Sequence, residues 1–248
     1  MPAILPAPEA RRASFSPLPL VGRRKERNAL AALFRQGSRA LVLGPRGMGK
    51  TRLVAEAAQA AGVEPLILSS PGPLMELARQ LLDQMSGGRA PASSTRRSTS
   101  QVLQSRVLRA LEARPRWIWI EDPAPAGARV ARFFERVLWI DGCGLVVCAE
   151  DRAQLGRLAS LLWDPRTHIV LRPLARADSE ALLDEAIRVF CLHPRGPLAA
   201  FRTQALEAAA GNPGRIVTLC RLAAQPQYWH HGHLLFAPLW IDTLTHLA

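Results

Sequence analysis

Residues 40–51 constrain the fold more than any other stretch. A compact apolar run, Ala40 to Leu43, passes directly into Gly44-Pro45-Arg46-Gly47-Met48-Gly49-Lys50-Thr51. A short apolar run closed by a glycine turn reads as a buried strand. Beyond Thr51, Leu53, Val54, Ala57, Ala58 and Ala61 recur at helical spacing, and Gly62 stands where a helix C-cap belongs.

Each fixed position in that loop, GxxxxGK[ST], has a physical task. The glycines let backbone N–H groups close round phosphate oxygens, Lys50 neutralises the β and γ phosphates, and the Thr51 hydroxyl completes a Mg²⁺ shell. A chance match is on the order of one in a thousand for a chain of this composition. One of only two lysines, the other being Lys25, stands at the required place. ATP with Mg²⁺ is the expected ligand of this P-loop.

The alternation continues. Pro65 to Leu68 reads as a second strand, Leu74 to Met85 and Gln101 to Leu111 as helices, and Trp117 to Ile120 as a third strand. Val130 to Ile140 reads as helix, Leu145 to Cys148 as strand, Ala153 to Leu162 as helix and His168 to Leu171 as a fifth strand. A short helix over 28–34 precedes them. The expected fold is α/β: a P-loop NTPase with a five-stranded parallel sheet in an αβα sandwich. After Pro173 the strand signals stop. A stripe of Leu182, Leu183, Ala186, Ile187 and Phe190, then Asn212-Pro213 as the start of a further helix, predict a small helical lid. The organisation expected is a tail over 1–17, an ATPase core over 18–174, and the lid and C-terminal segment over 175–248.

Composition adds exclusions. No uninterrupted apolar run is long enough to span a bilayer, and the Pro-broken start MPAILPAPEARR lacks the order of a secretory signal, so cytoplasmic residence and no membrane role are expected. Four cysteines show neither CxxC pairing nor zinc spacing, and the three histidines near 230–233 lack a carboxylate or cysteine partner, so no metal is assigned there. The net charge of +12 is carried almost wholly by arginine. That bias attracts nucleic-acid phosphate, and GC-rich coding can also produce it.

A carboxylate at the end of a buried strand near the P-loop serves the metal's water shell, and Trp117-Ile118-Trp119-Ile120-Glu121-Asp122 fits that demand. By the order that such acids take in relatives with this element, Glu121 would take the metal side with Thr51, and the shorter Asp122 would orient water. By these residues the chain resembles an AAA+ ATPase, close to the STAND and origin-recognition branches and to small transposition ATPases of the TniB, TnsC and IstB kind. Val21-Gly22-Arg23, with Glu26, resembles the segment that wraps adenine in that family. The P-loop and Trp117 to Asp122 resemble its Walker A and Walker B elements. Asp164-Pro165-Arg166 falls where the family places an arginine finger, which leaves Arg166 as a finger or as one more surface arginine. Leu171-Arg172-Pro173-Leu174 resembles the strand-to-lid junction, and Gly211-Asn212-Pro213-Gly214-Arg215 the sensor 2 segment, with Arg215 toward phosphate.

Two departures stand out. The acids come as Glu then Asp, the reverse of most relatives, and the fourth strand ends Cys148-Ala149-Glu150-Asp151, without the Asn, Ser or Thr that usually aligns the attacking water. Both point to slow hydrolysis. The resemblance implies an ATPase that forms homo-oligomers and regulates assembly on DNA, passing its output to a separate protein partner. DNA would be met by the basic surface and by loop 86–100, whose Arg89, Arg96 and Arg97 can contact phosphate or simply face solvent. Two alternatives stay open: a nucleotide switch or remodeller acting on a protein without DNA, and a small P-loop phosphotransferase.

Overall fold

A computed structural model of the chain describes residues 18–37, 39–69, 72–87, 99–192 and 197–247. The tail over 1–17 and Arg89, Arg96 and Arg97 of loop 86–100 lie outside the described residues. Two compact units are present. Among the described residues, the sheet unit holds 23–37, 39–46, 53–69, 72–87 and 99–172, and the helical unit holds 18–22, 47–52, 173–192 and 197–247.

The sheet unit carries the five-stranded sheet that the alternation predicts. Its strands are β1 (Arg39–Leu43), β2 (Leu66–Leu68), β3 (Trp117–Ile120), β4 (Gly144–Ala149) and β5 (His168–Val170). They run in the order β2-β3-β4-β1-β5, and every pairing is parallel. Parallel neighbours need crossovers, which the helices after the first supply. The helices are α1 (Arg24–Gln36), α2 (Lys50–Ala61), α3 (Leu74–Met85), α4 (Ser100–Ala113) and α5 (Ala128–Leu138).

Alternation along each strand divides the core in two. Leu41, Leu66, Leu68, Ile118, Ile120, Leu145 and Val147 pack in one cluster with the buried faces of α3, α4 and α5. Ala40, Val42, Trp117, Trp119, Val146 and Cys148 point the other way and are equally buried. On that second face the Phe34 ring of α1 meets Trp117 edge-on at 4.6 Å, and the Trp117 indole donates to the Phe34 carbonyl at 3.2 Å. Gly144 opens β4 because a Cβ there would fall 2.4 Å from the Trp117 ring. Central strands buried on both faces explain why the sequence shows them as unbroken apolar runs.

One expected helix is absent. Residues 153–162 form two 3₁₀ turns, Ala153–Leu155 and Arg157–Ser160, in place of an α-helix. Gly156 between them takes φ +53°, and its backbone lies so close to Ala126 that a Cβ would come within 2.7 Å of the Ala126 nitrogen. A left-handed residue tied to another segment stops helical propagation.

The helical unit contains α6 (Arg176–Val189), α7 (Ala199–Ala209), α8 (Pro213–Ala223) and α9 (Phe236–Leu247), which bring the α-helices among the described residues to nine. Leu182, Leu183, Ala186 and Ile187 of α6 share a core with Phe201, Ile216, Leu219 and Leu239, and Leu18 joins it. The expectation that strands end at Pro173 is corrected by a small antiparallel hairpin, β6 (Trp229–His230) and β7 (His233–Leu234). His231 and Gly232 turn it with φ of +47° and +77°, the two left-handed positions a tight hairpin needs.

Candidate functional site

The P-loop starts where β1 ends. The Gly44 N–H donates to the Ala149 carbonyl at 3.2 Å, carrying the β1–β4 ladder one residue past Leu43. The chain then turns through Pro45 and Arg46, and Gly47 and Gly49 adopt φ of +81° and +86°. Only glycine takes those values without strain. Lys50 opens α2, whose first turn contains no acidic residue. The N–H groups and positive dipole end of this helix, with Lys50 and Thr51 in its first turn, suit an oxyanion ligand and oppose a cationic one. The donor set fits a triphosphate, and the Thr51 hydroxyl fits as a ligand for an accompanying Mg²⁺ ion.

Residues 47–52 belong to the helical unit, and there the P-loop meets the segment from Gly211 to Arg215. The Gly214 N–H donates to the Gly47 carbonyl at 2.8 Å. The approach is so close that a Cβ on Gly214 would lie 2.7 Å from Gly47 Cα, and one on Gly47 2.6 Å from Asn212 Oδ1. Asn212 also caps α8, accepting from the Arg215 N–H at 3.2 Å, with Pro213 in the first turn. The Arg215 guanidinium lies 5.8 Å from the centre of the Trp240 ring, a cation–π distance. Sequence reasoning missed this glycine-on-glycine seam. Its signal was Gly214 itself, a poor helix former inside the first turn of α8.

Val21-Gly22-Arg23 is divided between two tasks. Val21 packs against the core of the helical unit, and Gly22, at φ +69°, lies where a Cβ would meet the Asp178 carboxyl of α6 at 2.7 Å. Arg23, in the sheet unit, is turned inward and only 5% exposed. It donates to the Arg172 carbonyl at 2.5 Å and pairs with Glu26 at 3.3 Å. Thus the guanidinium pins the residue that follows β5 and Leu171.

The acidic strand end has the form expected. Trp117 to Ile120 are all buried, and the Glu121 N–H donates to the Leu68 carbonyl at 2.9 Å, fixing the first residue past β3. Glu121 is half-buried and Asp122 exposed. After β4, the Glu150 N–H donates to the side-chain oxygen of Gln154 at 2.9 Å, and the Gln154 N–H to Asp151 at 3.2 Å. Gln154 is thus an uncharged polar side chain tied to the end of the fourth strand, which reading strand ends alone overlooked.

Arg166 stands in a 3₁₀ turn, Pro165–Thr167, immediately before β5. Asp164 caps the turn, accepting from the Arg166 N–H at 3.0 Å. The same carboxylate clasps the guanidinium, through Nε at 3.1 and 3.2 Å and a terminal nitrogen at 3.0 Å. Hydrogen bonds from the Arg166 side chain hold the Asp164 carboxyl below its ordinary range, and the carboxylate raises Arg166 in turn. Arg166 is 87% exposed, so the clasp is solvated and orients the side chain more than it stabilises the fold.

The sequence profile described as an AAA ATPase domain matches residues 19–212. A search of curated proteins finds no match. Among solved structures, the origin-recognition protein ORC1 of Aeropyrum pernix, solved in complex with DNA, superposes with a TM-score of 0.62 at 16% identity, covering 93% of this chain and 66% of that one. Cdc6p of Pyrobaculum aerophilum gives 0.61 at 14% identity, covering 99% and 72%. A STAND protein of Pyrococcus horikoshii with a tetratricopeptide repeat sensor gives 0.53 at 14% identity, covering 94% and 33%. The chain thus spans a third of the STAND protein's length and 66% of ORC1's.

Proposed function

The chain belongs to the AAA ATPase domain family, and from that premise we propose that it binds ATP·Mg²⁺ through Gly44–Thr51, assembles with copies of itself and acts on DNA. The observation that carries the nucleotide reading is the loop itself: two left-handed glycines leading into a helix whose first turn holds Lys50 and no acid. Mg²⁺, when bound, would supply Lewis-acid neutralisation of charge on the phosphate oxygens. Thr51 and Glu121 are the residues that would hold it. Asp122 would orient the attacking water, Arg215 would face phosphate within the subunit, and Arg166 would reach a neighbouring subunit's nucleotide. Val21-Gly22-Arg23 would flank the base. We take 18–174 as the ATPase core and 175–248 as its lid.

Turnover on this reading is slow, because Asp122 is a short stem for a water-orienting carboxylate. DNA as partner is supported by the net charge of +12 and by analogy with relatives solved on DNA, including the Drosophila origin-recognition complex. The transposition ATPases remain a resemblance in motif. A switch that acts on a protein partner is the second reading, favoured by the reversed Glu121-Asp122 order. No helix among the described residues is long and apolar enough to cross a membrane.

Lys50→Ala tests the nucleotide site. The Lys50 ammonium would neutralise charge on the β and γ phosphates, so the variant should keep its circular-dichroism spectrum and lose ATP affinity by a hundredfold or more, roughly 3 kcal/mol for charge-assisted bonds in a shielded site. Undiminished affinity in a folded variant refutes the assignment.

A further inference from the structure

The sheet unit carries a second surface that the nucleotide site does not use. On α5 the residues Arg129, Arg132 and Arg136 are exposed, while Val130, Ala131, Phe133, Phe134 and Val137 are buried. At helical periodicity the three arginines and Trp139, which caps the helix in helical conformation, fall within about 80° of arc and along about 15 Å of axis. The cap residue is a tryptophan 82% exposed. Trp163 is 63% exposed and lines one groove together with Trp139, Arg39, Glu135, Leu138 and Leu161. On the other side of Trp139 a second groove is lined by Leu108, Arg109, Glu112, Arg136 and Ile140. Arg39 opens β1, while Trp139 and Trp163 each shortly precede a strand, β4 and β5. The surface therefore lies where the strands begin, at the opposite edge of the sheet from Gly44 and Glu121.

None of these arginines on α5, nor either indole N–H, has a hydrogen-bond or ion-pair partner among the described residues. Two large aromatic faces open to water beside three unpaired cations are not explained by packing. We propose that this face of α5, with Trp139 and Trp163, binds single-stranded nucleic acid, its phosphates on Arg129, Arg132 and Arg136 and its unpaired bases stacked on the two indoles. A single strand offers both repeating negative charge and flat π surfaces, the combination that arginines and exposed tryptophans meet together. Glu112 and Glu135 line the grooves beside the tryptophans, where base edges rather than phosphates would enter; carboxylates accept from exocyclic amino groups of bases. A partner protein's acidic helix would satisfy the arginines, but it lacks the successive flat faces that two open indoles suit.

This deepens the nucleic-acid part of the proposed function and is independent of its nucleotide part. The test uses the full chain without nucleotide and a fluorescein-labelled oligomer of about 15 deoxyadenosines, near the upper site size of a single stacking module. Anisotropy titrations across salt should give saturable binding, with the protein's tryptophan emission quenched as bases stack. Trp139→Ala should weaken affinity about five- to a hundredfold, and Trp163→Ala by less. Replacing Arg129, Arg132 and Arg136 together by alanine should lower the slope of log affinity against log salt by about 2, near 0.7 for each lost phosphate. All variants alter exposed side chains, so circular dichroism and ATP affinity should be unchanged. Lys50→Ala should conversely keep the strand and lose ATP, which separates failure of this proposal from failure of the nucleotide site. Unchanged strand affinity in folded Trp139→Ala and in the triple variant overturns the proposal, as does duplex binding equal to single-strand binding with Trp139 immaterial. So does a result in which only an acidic peptide, and no oligonucleotide, is sensitive to these substitutions.

Discussion

Arg166 and Arg215 follow the same local device and end in different places. Each stands just behind an Asx-Pro pair, Asp164-Pro165 before one and Asn212-Pro213 before the other, and in each the Asx side chain accepts the arginine's own backbone N–H. At 164 the cap is charged, so it also captures the guanidinium, which is left exposed in a fixed orientation. At 212 the cap is a neutral amide. It leaves the guanidinium to the Trp240 ring, while its own side chain lies against Gly47 of the P-loop. An ionised cap thus dedicates its arginine to an outward posture. A neutral cap leaves the arginine available beside the loop it also touches.

The largest expected effect separates the two roles. Arg166→Ala should cut turnover of the assembled protein by about 10³-fold while leaving the ATP affinity of a single subunit intact, since an arginine finger acts on charge formed in the transition state. Steady-state ATPase rates beside nucleotide titrations read this directly, and unchanged turnover ends the finger assignment. Arg215→Ala should do the reverse. ATP affinity should fall about ten- to a hundredfold in the isolated subunit, the worth of one hydrogen bond to a charged group, roughly 1.5–3 kcal/mol.

Exchanging the caps sharpens the contrast. Asn212→Asp keeps the cap of α8 but places a carboxylate beside Gly47, where a phosphate is expected. ATP affinity should drop by roughly 1–2 kcal/mol, with thermal stability held or slightly raised. An affinity gain would show that the amide is not facing ligand. The smallest effect belongs to the opposite exchange, Asp164→Asn, which frees Arg166. Because Arg166 holds the Asp164 pKa below its unfolded value, the clasp contributes at neutral pH and is lost only as pH falls through the folded value, below the usual aspartate range. The difference in thermal midpoint between wild type and Asp164→Asn should therefore be small and flat from pH 7 to 5, where this carboxylate stays ionised, and vanish in stronger acid. A difference that grows on acidification contradicts the clasp.

What the sequence revealed and what it hid differ by range. The loop from Gly44 to Thr51 was legible because its glycines are demanded by local φ, and the five strands because apolar runs between breakers need no partner to be recognised. The missing helix at 153–162 was illegible because Gly156 answers to Ala126, a distant segment. The seam between Gly47 and Gly214 was hidden for the same reason: each glycine looks locally like a turn or a poor helix residue, and only the close approach of two backbones explains both. Arg23 was read as a base-flanking residue, and its burial against Arg172 and Glu26 adds a structural task that motif order does not disclose. Arg166 was legible as an arginine before a strand, while its clasp required the geometry of the turn.

The claim that the two arginines serve different subunits has one decisive measurement. Lys50→Ala chains, expected to have lost nucleotide affinity but to retain Arg166, are mixed with Arg166→Ala chains, expected to hold nucleotide but to lack the proposed finger. ATP hydrolysis is then followed against the mixing ratio, with assembly checked by mass. The account predicts that two inactive preparations regain turnover on mixing, with a maximum at intermediate ratio. Well-formed mixed assemblies that remain inactive at every ratio would contradict it.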